Sequence, residues 1–228
     1  MHGQSETTSA PRNICTFIHI LFVGIAAWIF FGGGLEYINS WISDVHTSPG
    51  HLARQIILFA FSVLLLLRMS FELYYLLKRK FDWSELGGVL FALFLYQVLY
   101  ALLGGNNEKT IDGIDVFAVT LFLLGSLINT ISEVQRKRFK DKPENRGILY
   151  TQGLFQYARH INYFGDVLWV TGWAIVTRNV FSAIIPVCIT ALFVFFFIPS
   201  LSNHLKSKYG QQYEVWKGST KSLVPFIF

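Results

Sequence analysis

The 228-residue chain is 53% hydrophobic and only 14% charged, and its mean hydropathy is +0.44. A water-soluble globule cannot hide that much apolar surface. The net charge of +5 comes from basic residues placed between apolar runs, which argues against nucleic-acid binding, and Cys15 and Cys188 both lie inside apolar runs, which argues against a disulfide framework or a cysteine-rich metal site.

A helix needs roughly 20 apolar residues to cross a hydrocarbon core of about 30 Å. Runs of that kind predict spans at 14–33, 54–77, 86–104, 112–131, 163–178 and 180–199. The first run follows a short polar amino terminus and lacks a small-residue cleavage pattern, so Ile14 onward is expected to stay as a membrane helix. The fold class expected is all-α, a polytopic membrane bundle of six or seven transmembrane helices with a cytosolic amphipathic carboxyl-terminal segment. Loop charge alternates. Glu36 and Asp44 precede Arg54 with no basic residue between them. Lys78-Arg79-Lys80 and a basic stretch from Arg136 to Arg146 flank the nearly neutral GGNNEKTIDG. The positive-inside bias therefore puts both termini and both basic loops in the cytoplasm, of a bacterial inner membrane or an endoplasmic reticulum. Spans five and six, joined by a residue or two after Arg178, are expected to form an antiparallel hairpin.

Polar groups inside a span are costly without partners or a cavity, so they mark candidate sites. Asn129 and Glu133 stand four residues apart and share one helical face. Downstream, Arg136, Lys137, Arg138, Lys140, Lys142, Arg146 and Arg159 gather on the basic side. Such a cluster suits an anionic cofactor, although lipid-facing topology residues give the same pattern. Arg159, His160, Asn162, Tyr163 and Asp166 then fall within eight positions at the mouth of span five. That is far more polar convergence than a bilayer entry needs, which favours a functional site over an interfacial aromatic belt with incidental polar neighbours. His19 and His204 have no second ligand at helical spacing, so no metal site is expected.

GLFQYARHINYFGD resembles the GL-x-x-Y-S-R-H-P-N-Y-F-G-E signature of the membrane reductase family containing the steroid 5-alpha-reductases, whose wider bacterial branch is DUF1295. SEVQRKRFKDKPENRG is similar to the stretch that precedes that signature, and YGQQYEVWKGSTKSLVPFIF to the family's ending. The resemblance covers Asn129 to Phe228. Ile161 stands where the family has Pro, and Asp166 where it has Glu. The resemblance implies NADPH as cofactor, bound by Asn129, Glu133, Asn162, Asp166 and Tyr209, with Arg138, Lys140 and Arg146 near its phosphates and Arg159, His160 and Tyr163 beside them. Residues 1–110 are then the substrate side and 111–228 the cofactor-binding region.

The implied reaction is reduction of a conjugated C=C bond in a steroid-like or other lipophilic enone, an oxidoreductase acting on CH-CH groups. It calls for a hydrogen-bond donor at the substrate carbonyl. Glu72 and Tyr96 are the preferred acid pair, although Glu72 also suits an ion pair with Arg68 one turn away, and interfacial Tyr is ordinary. A rival remains. Membrane methyltransferases of the isoprenylcysteine and phospholipid type use a similar R-H-P-x-Y-x-G element to bind S-adenosylmethionine. They usually carry an acidic or Arg-Glu element after the hairpin, where this chain has no acid before Glu214.

Overall fold

The computed structural model describes residues 9–42 and 48–228; the polar residues 1–8 and Asp44 lie outside the described residues. The described regular structure is helical, apart from one isolated bridge between Ala158 and Lys221. Five helices are long and apolar enough to cross a membrane: Ala10–Phe31, Leu52–Leu76, Trp83–Gly104, Gly113–Lys140 and Val180–Tyr209. The protein is an all-α, multi-pass membrane protein. Its large exposed apolar side chains, such as Phe17, Leu67, Phe91 and Phe195, are what lipid-facing surfaces require.

The chain divides into two units, residues 1–112 with 176–179, and residues 113–175 with 180–228. In the first, α1 (Ala10–Phe31), α2 (Gly34–Ile42), α3 (Leu52–Phe71), α4 (Trp83–Phe94) and α5 (Tyr100–Gly104) follow in order. A stripe of Cys15, His19, Val23, Ala26 and Phe30 recurs every three or four residues and turns α1 toward α3 and α4. Arg54 is fully buried at the start of α3, where its guanidinium donates to the carbonyls of Val176 at 2.7 Å and Lys109 at 2.9 Å. Those backbone acceptors resolve the cost of a buried cation. His19 has a polar partner on another helix. Its Nε2 lies 2.7 Å from Nε2 of Gln97, which also donates to the Ser62 carbonyl. Ser62 O only accepts, so the amide nitrogen must face it, and His19 Nε2 accepts the second amide proton.

The second unit starts with α6 (Gly113–Lys140), a 28-residue helix about 42 Å long. The expected fourth span ends too early at 131. Pairs of Glu133 with Arg136 and Lys137 with Asp141 carry the helix on, and the basic last turn complements its dipole. Arg136, Lys137, Arg138 and Lys140 thus stand on a helix and not in a loop.

After a loop with two short 3₁₀ turns comes α7 (Ile161–Val176), only 16 residues or about 24 Å. The fifth expected span is therefore a short helix. It stops where Arg178 takes a positive φ of 55° and reaches Asp112. A 3₁₀ turn at Val180–Ala183 leads into α8 (Ile184–Leu192), a π-helical turn Phe193–Phe197 and α9 (Ile198–Tyr209). The sixth span accordingly continues to Tyr209, past the expected end at 199. Tyr163 at the start of α7 stacks on Phe193 after the end of α8, with centroids 4.4 Å apart, so the two helices run antiparallel as expected. Gly210 breaks the helix at φ 52°, and α10 (Gln211–Ser219) follows.

Small residues bring α6 and α7 together. A Cβ on Gly165 would lie 2.7 Å from Asn129 N, and one on Gly172 2.5 Å from Ala118 O. Helices in lipid gain little from apolar burial against each other, so this close backbone approach carries the packing. The amphipathic tail helix α10 does not lie free. Tyr213 and Trp216 are buried with Leu149, Tyr150, Phe155, Ala158 and Ile161 in the core beneath the signature loop.

Candidate functional site

The packing of α6 on α7 places six side chains in one hydrogen-bonded network. Asn162 donates to Glu133 Oε1 at 3.0 Å, while Arg136 pairs with Glu133 Oε2. Asn129 Nδ2 donates to Asp166 Oδ1 at 2.9 Å and to the carbonyl of Asn162 at 3.2 Å. Trp169 Nε1 also donates to Asp166 Oδ1, at 2.8 Å. Asn129 Oδ1 is buried, and among the described residues no group donates to it. The spacing of Asn129 and Glu133 predicts a shared face, and both do meet Asn162 there. Sequence reasoning missed Trp169 and treated Arg136 as one more cation in the cluster. Both sit three residues from their acids, a helical spacing that marks them in hindsight.

The signature's glycines have steric reasons. Gly153 has φ 60°, and a Cβ there would lie 2.7 Å from Tyr150 Oη and collide with Gln135 Oε1. That same oxygen accepts from Leu154 N at 2.9 Å, so Gln135 fixes the loop to α6. Arg136 lies over the Phe155 ring, 5.6 Å from its centroid.

The next residues join the loop to the tail. Arg159 N donates to Lys221 O and His160 N to Ser222 O, both at 2.9 Å. Arg159 Nη1 donates to the carbonyls of Thr220 and Lys217. The structure thus engages Arg159 in holding the tail. His160 is buried and stacks on Tyr163, which stacks in turn on Phe193. Arg138, Lys140, Lys142 and Arg146 are exposed. Tyr209 is half-buried against the loop cluster, with Lys208 Nζ 5.4 Å from its ring centroid.

Burial, and then the charges of Arg159 and Arg136, push His160 down from 6.5 to about 4. The folded protein thus keeps the ring neutral while the unfolded chain protonates below about 6.5. Stability present above that pH is lost as pH falls toward 4, by up to about 3 kcal/mol. Thermal unfolding between pH 7 and 4.5 checks this: the acid-side loss in melting temperature should shrink in His160→Gln.

The proposed acid pair lies in the first unit. Glu72 begins a π-helical turn after α3, with Arg68 at 3.7 Å, and Tyr96 is buried in a second π-helical turn after α4, 6.4 Å from the Tyr100 ring. π-helical turns are rare and recur at functional sites. Among the described residues no cluster of His, Cys, Asp or Glu suits a metal ion.

The family model DUF1295, described as a protein of unknown function, matches residues 87–220, more than half of the chain. The chain is 29% identical to Protein-S-isoprenylcysteine O-methyltransferase B of Arabidopsis thaliana over 49% of its length and 59% of the relative's. It is 31% identical to 3-oxo-5-alpha-steroid 4-dehydrogenase 1 of Macaca fascicularis over 47% of its length and 39% of the relative's. The corresponding figures for 3-oxo-5-alpha-steroid 4-dehydrogenase 2 of Homo sapiens are 29%, 48% and 41%. The matches thus span less than two thirds of these relatives, which fall into the two enzyme groups that the signature resembles. On the extent of the family match, this multi-pass membrane protein belongs to the DUF1295 family.

Proposed function

We propose that the protein reduces a conjugated C=C bond in a lipophilic enone with NADPH, residues 111–228 binding the cofactor and residues 1–110 the substrate. The observation that carries this reading is the pairing of charges in the second unit. Glu133 is answered by Arg136 and Lys137 pairs with Asp141, whereas Arg138, Lys140, Lys142 and Arg146 remain exposed nearby on the same unit. A surplus of cations suits a phosphate-bearing dinucleotide and opposes a sulfonium cofactor.

The network fits the other end of the dinucleotide as well. The buried, undonated Asn129 Oδ1 suits a carboxamide N–H. Asn162 and Asp166 hold Asn129 in place, and the Arg159 contacts keep the tail over the loop. When bound, the cofactor supplies a hydride. Tyr96, with Glu72, is assigned the task of donating a hydrogen bond to the substrate carbonyl, where negative charge develops. Both termini are placed in the cytoplasm, in line with the basic loops.

A methyltransferase is the second reading, favoured by the Arabidopsis relative. Thermal unfolding of the purified protein with NADPH, NADH or S-adenosylhomocysteine separates the two. NADPH at a hundredfold excess over its dissociation constant should stabilise by about 2.7 kcal/mol. Stabilisation by S-adenosylhomocysteine alone overturns the reductase reading.

A further inference from the structure

The last residues of the chain form an ordered turn and not a trailing end. Leu223 N and Val224 N both donate to Phe228 O at 2.6 Å, Ile227 N donates to Val224 O at 3.1 Å, and Phe226 takes a φ of 66°. This turn directs three large apolar side chains outward. Phe226 is 78% exposed, Ile227 75% and Phe228 52%. Its base is buried: Leu223 forms a core with Phe193 and Ile198, and Val224 packs on the same cluster.

That cluster sets the position of the turn. Ile198 opens α9, and Phe193 belongs to the π-helical turn joining α8 to α9, whose Phe195, Phe196 and Phe197 point outward as lipid-facing residues do. From Ser200 onward the same helix turns polar, through Asn203, His204, Lys206 and Lys208. The apolar turn is therefore packed beside the stretch in which the helix changes from apolar to polar residues. Its outward residues are exposed apolar side chains like Phe195, Phe196 and Phe197 of that helix, and Lys217 and Lys221 are exposed on the preceding residues, as contact with anionic headgroups favours.

We propose that Leu223–Phe228 is a hook seated in the bilayer interface, which anchors the strap Thr220–Ser222 to the lipid surface. The strap carries Thr220 O, Lys221 O and Ser222 O, the acceptors for Arg159 and His160. The signature loop is thereby tied to the membrane through the tail. This inference is independent of the reaction catalysed, and aromatic rings with basic neighbours are the usual chemistry of such an anchor.

The test uses the full chain in nanodiscs of phosphatidylcholine with phosphatidylglycerol. A nitroxide is attached at Ile227→Cys in a Cys188→Ser background, with Lys217→Cys as the comparison site. Relaxation of the label at 227 should respond more to oxygen than to a water-soluble nickel chelate, and the label at 217 should show the reverse. Greater access of the chelate at 227, or dipolar coupling to a second labelled copy, overturns the proposal. In a second variant, Ile227→Ser with Phe228→Ser, which leaves the edge contact of Phe226 with Tyr157 in place, amide exchange at Arg159 and His160 should rise about tenfold in the nanodisc, because the strap has lost its anchor. Unchanged exchange there overturns the link between hook and loop.

Discussion

Alanine at Gly125 is expected to lower the stability of the second unit by about 3 kcal/mol, at the upper end for overpacking. A Cβ at this position would stand 2.5 Å from Gly165 O, closer still to Trp169 N, and 2.8 Å from Leu168 Cβ. The first two neighbours are backbone atoms of α7, which cannot swing aside as a side-chain end does. The helices must separate, and the separation pulls Asn129 from Asp166 one turn further along. Gly165→Ala should act alike, since its Cβ would meet Asn129 N and Gly125 O at 2.7 Å. Gly87 and Gly88 provide the control, because a Cβ on either meets nothing within 4 Å. Alanine there should be neutral or stabilise by about 0.4–1 kcal/mol through the unfolded chain. Melting temperatures in detergent decide the matter: a fall of roughly 6–12 °C is expected for Gly125→Ala and Gly165→Ala and none for the controls. Equal behaviour of all four would mean that the close approach of α6 and α7 contributes little.

The residues that were legible in the sequence are those whose role follows from spacing or from insolubility in water. Apolar runs announce membrane helices because lipid leaves a backbone no other way to satisfy itself. Asn129 and Glu133 announce a shared face because four residues make about one turn. The helix ends were hidden. Ion pairs carry α6 beyond its apolar run to Lys140, whereas α7 stops short at the positive φ of Arg178, although Thr177-Arg178 carries no breaker such as Gly or Pro. The partners of His19 and Arg159 were hidden for another reason. Gln97 is 78 residues from His19, and Thr220 is 61 from Arg159, so local periodicity cannot bring them together. Motif resemblance names Arg159 as a cofactor residue and says nothing of its bonds to the tail backbone, a contact that side-chain pattern does not encode.

Asn129→Asp is expected to affect the proposed cofactor cradle more than any other single isosteric change. In the native chain the Asn129 amide donates to Asp166 Oδ1 and to the carbonyl of Asn162, two acceptors with no proton to give. A carboxylate at 129 turns both hydrogen bonds into oxygen-oxygen repulsions and sets a second negative charge beside Asp166. Loss of a buried hydrogen bond to a charged group costs roughly 1.5–3 kcal/mol. NADPH-dependent stabilisation should therefore weaken by about 10- to 100-fold in apparent affinity. Asn129→Leu removes the donor without adding charge and should fall between the variant and the native protein. The combined exchange Asn129→Asp with Asp166→Asn restores a donor opposite an acceptor, and the amide oxygen then present at position 166 still receives the Trp169 N–H. The carbonyl of Asn162 remains opposed, so recovery should be partial, and a double-mutant cycle should show a coupling of about 1 kcal/mol or more between positions 129 and 166. Additive losses would show that the two side chains act separately, and the shared network could not then be what positions a ligand.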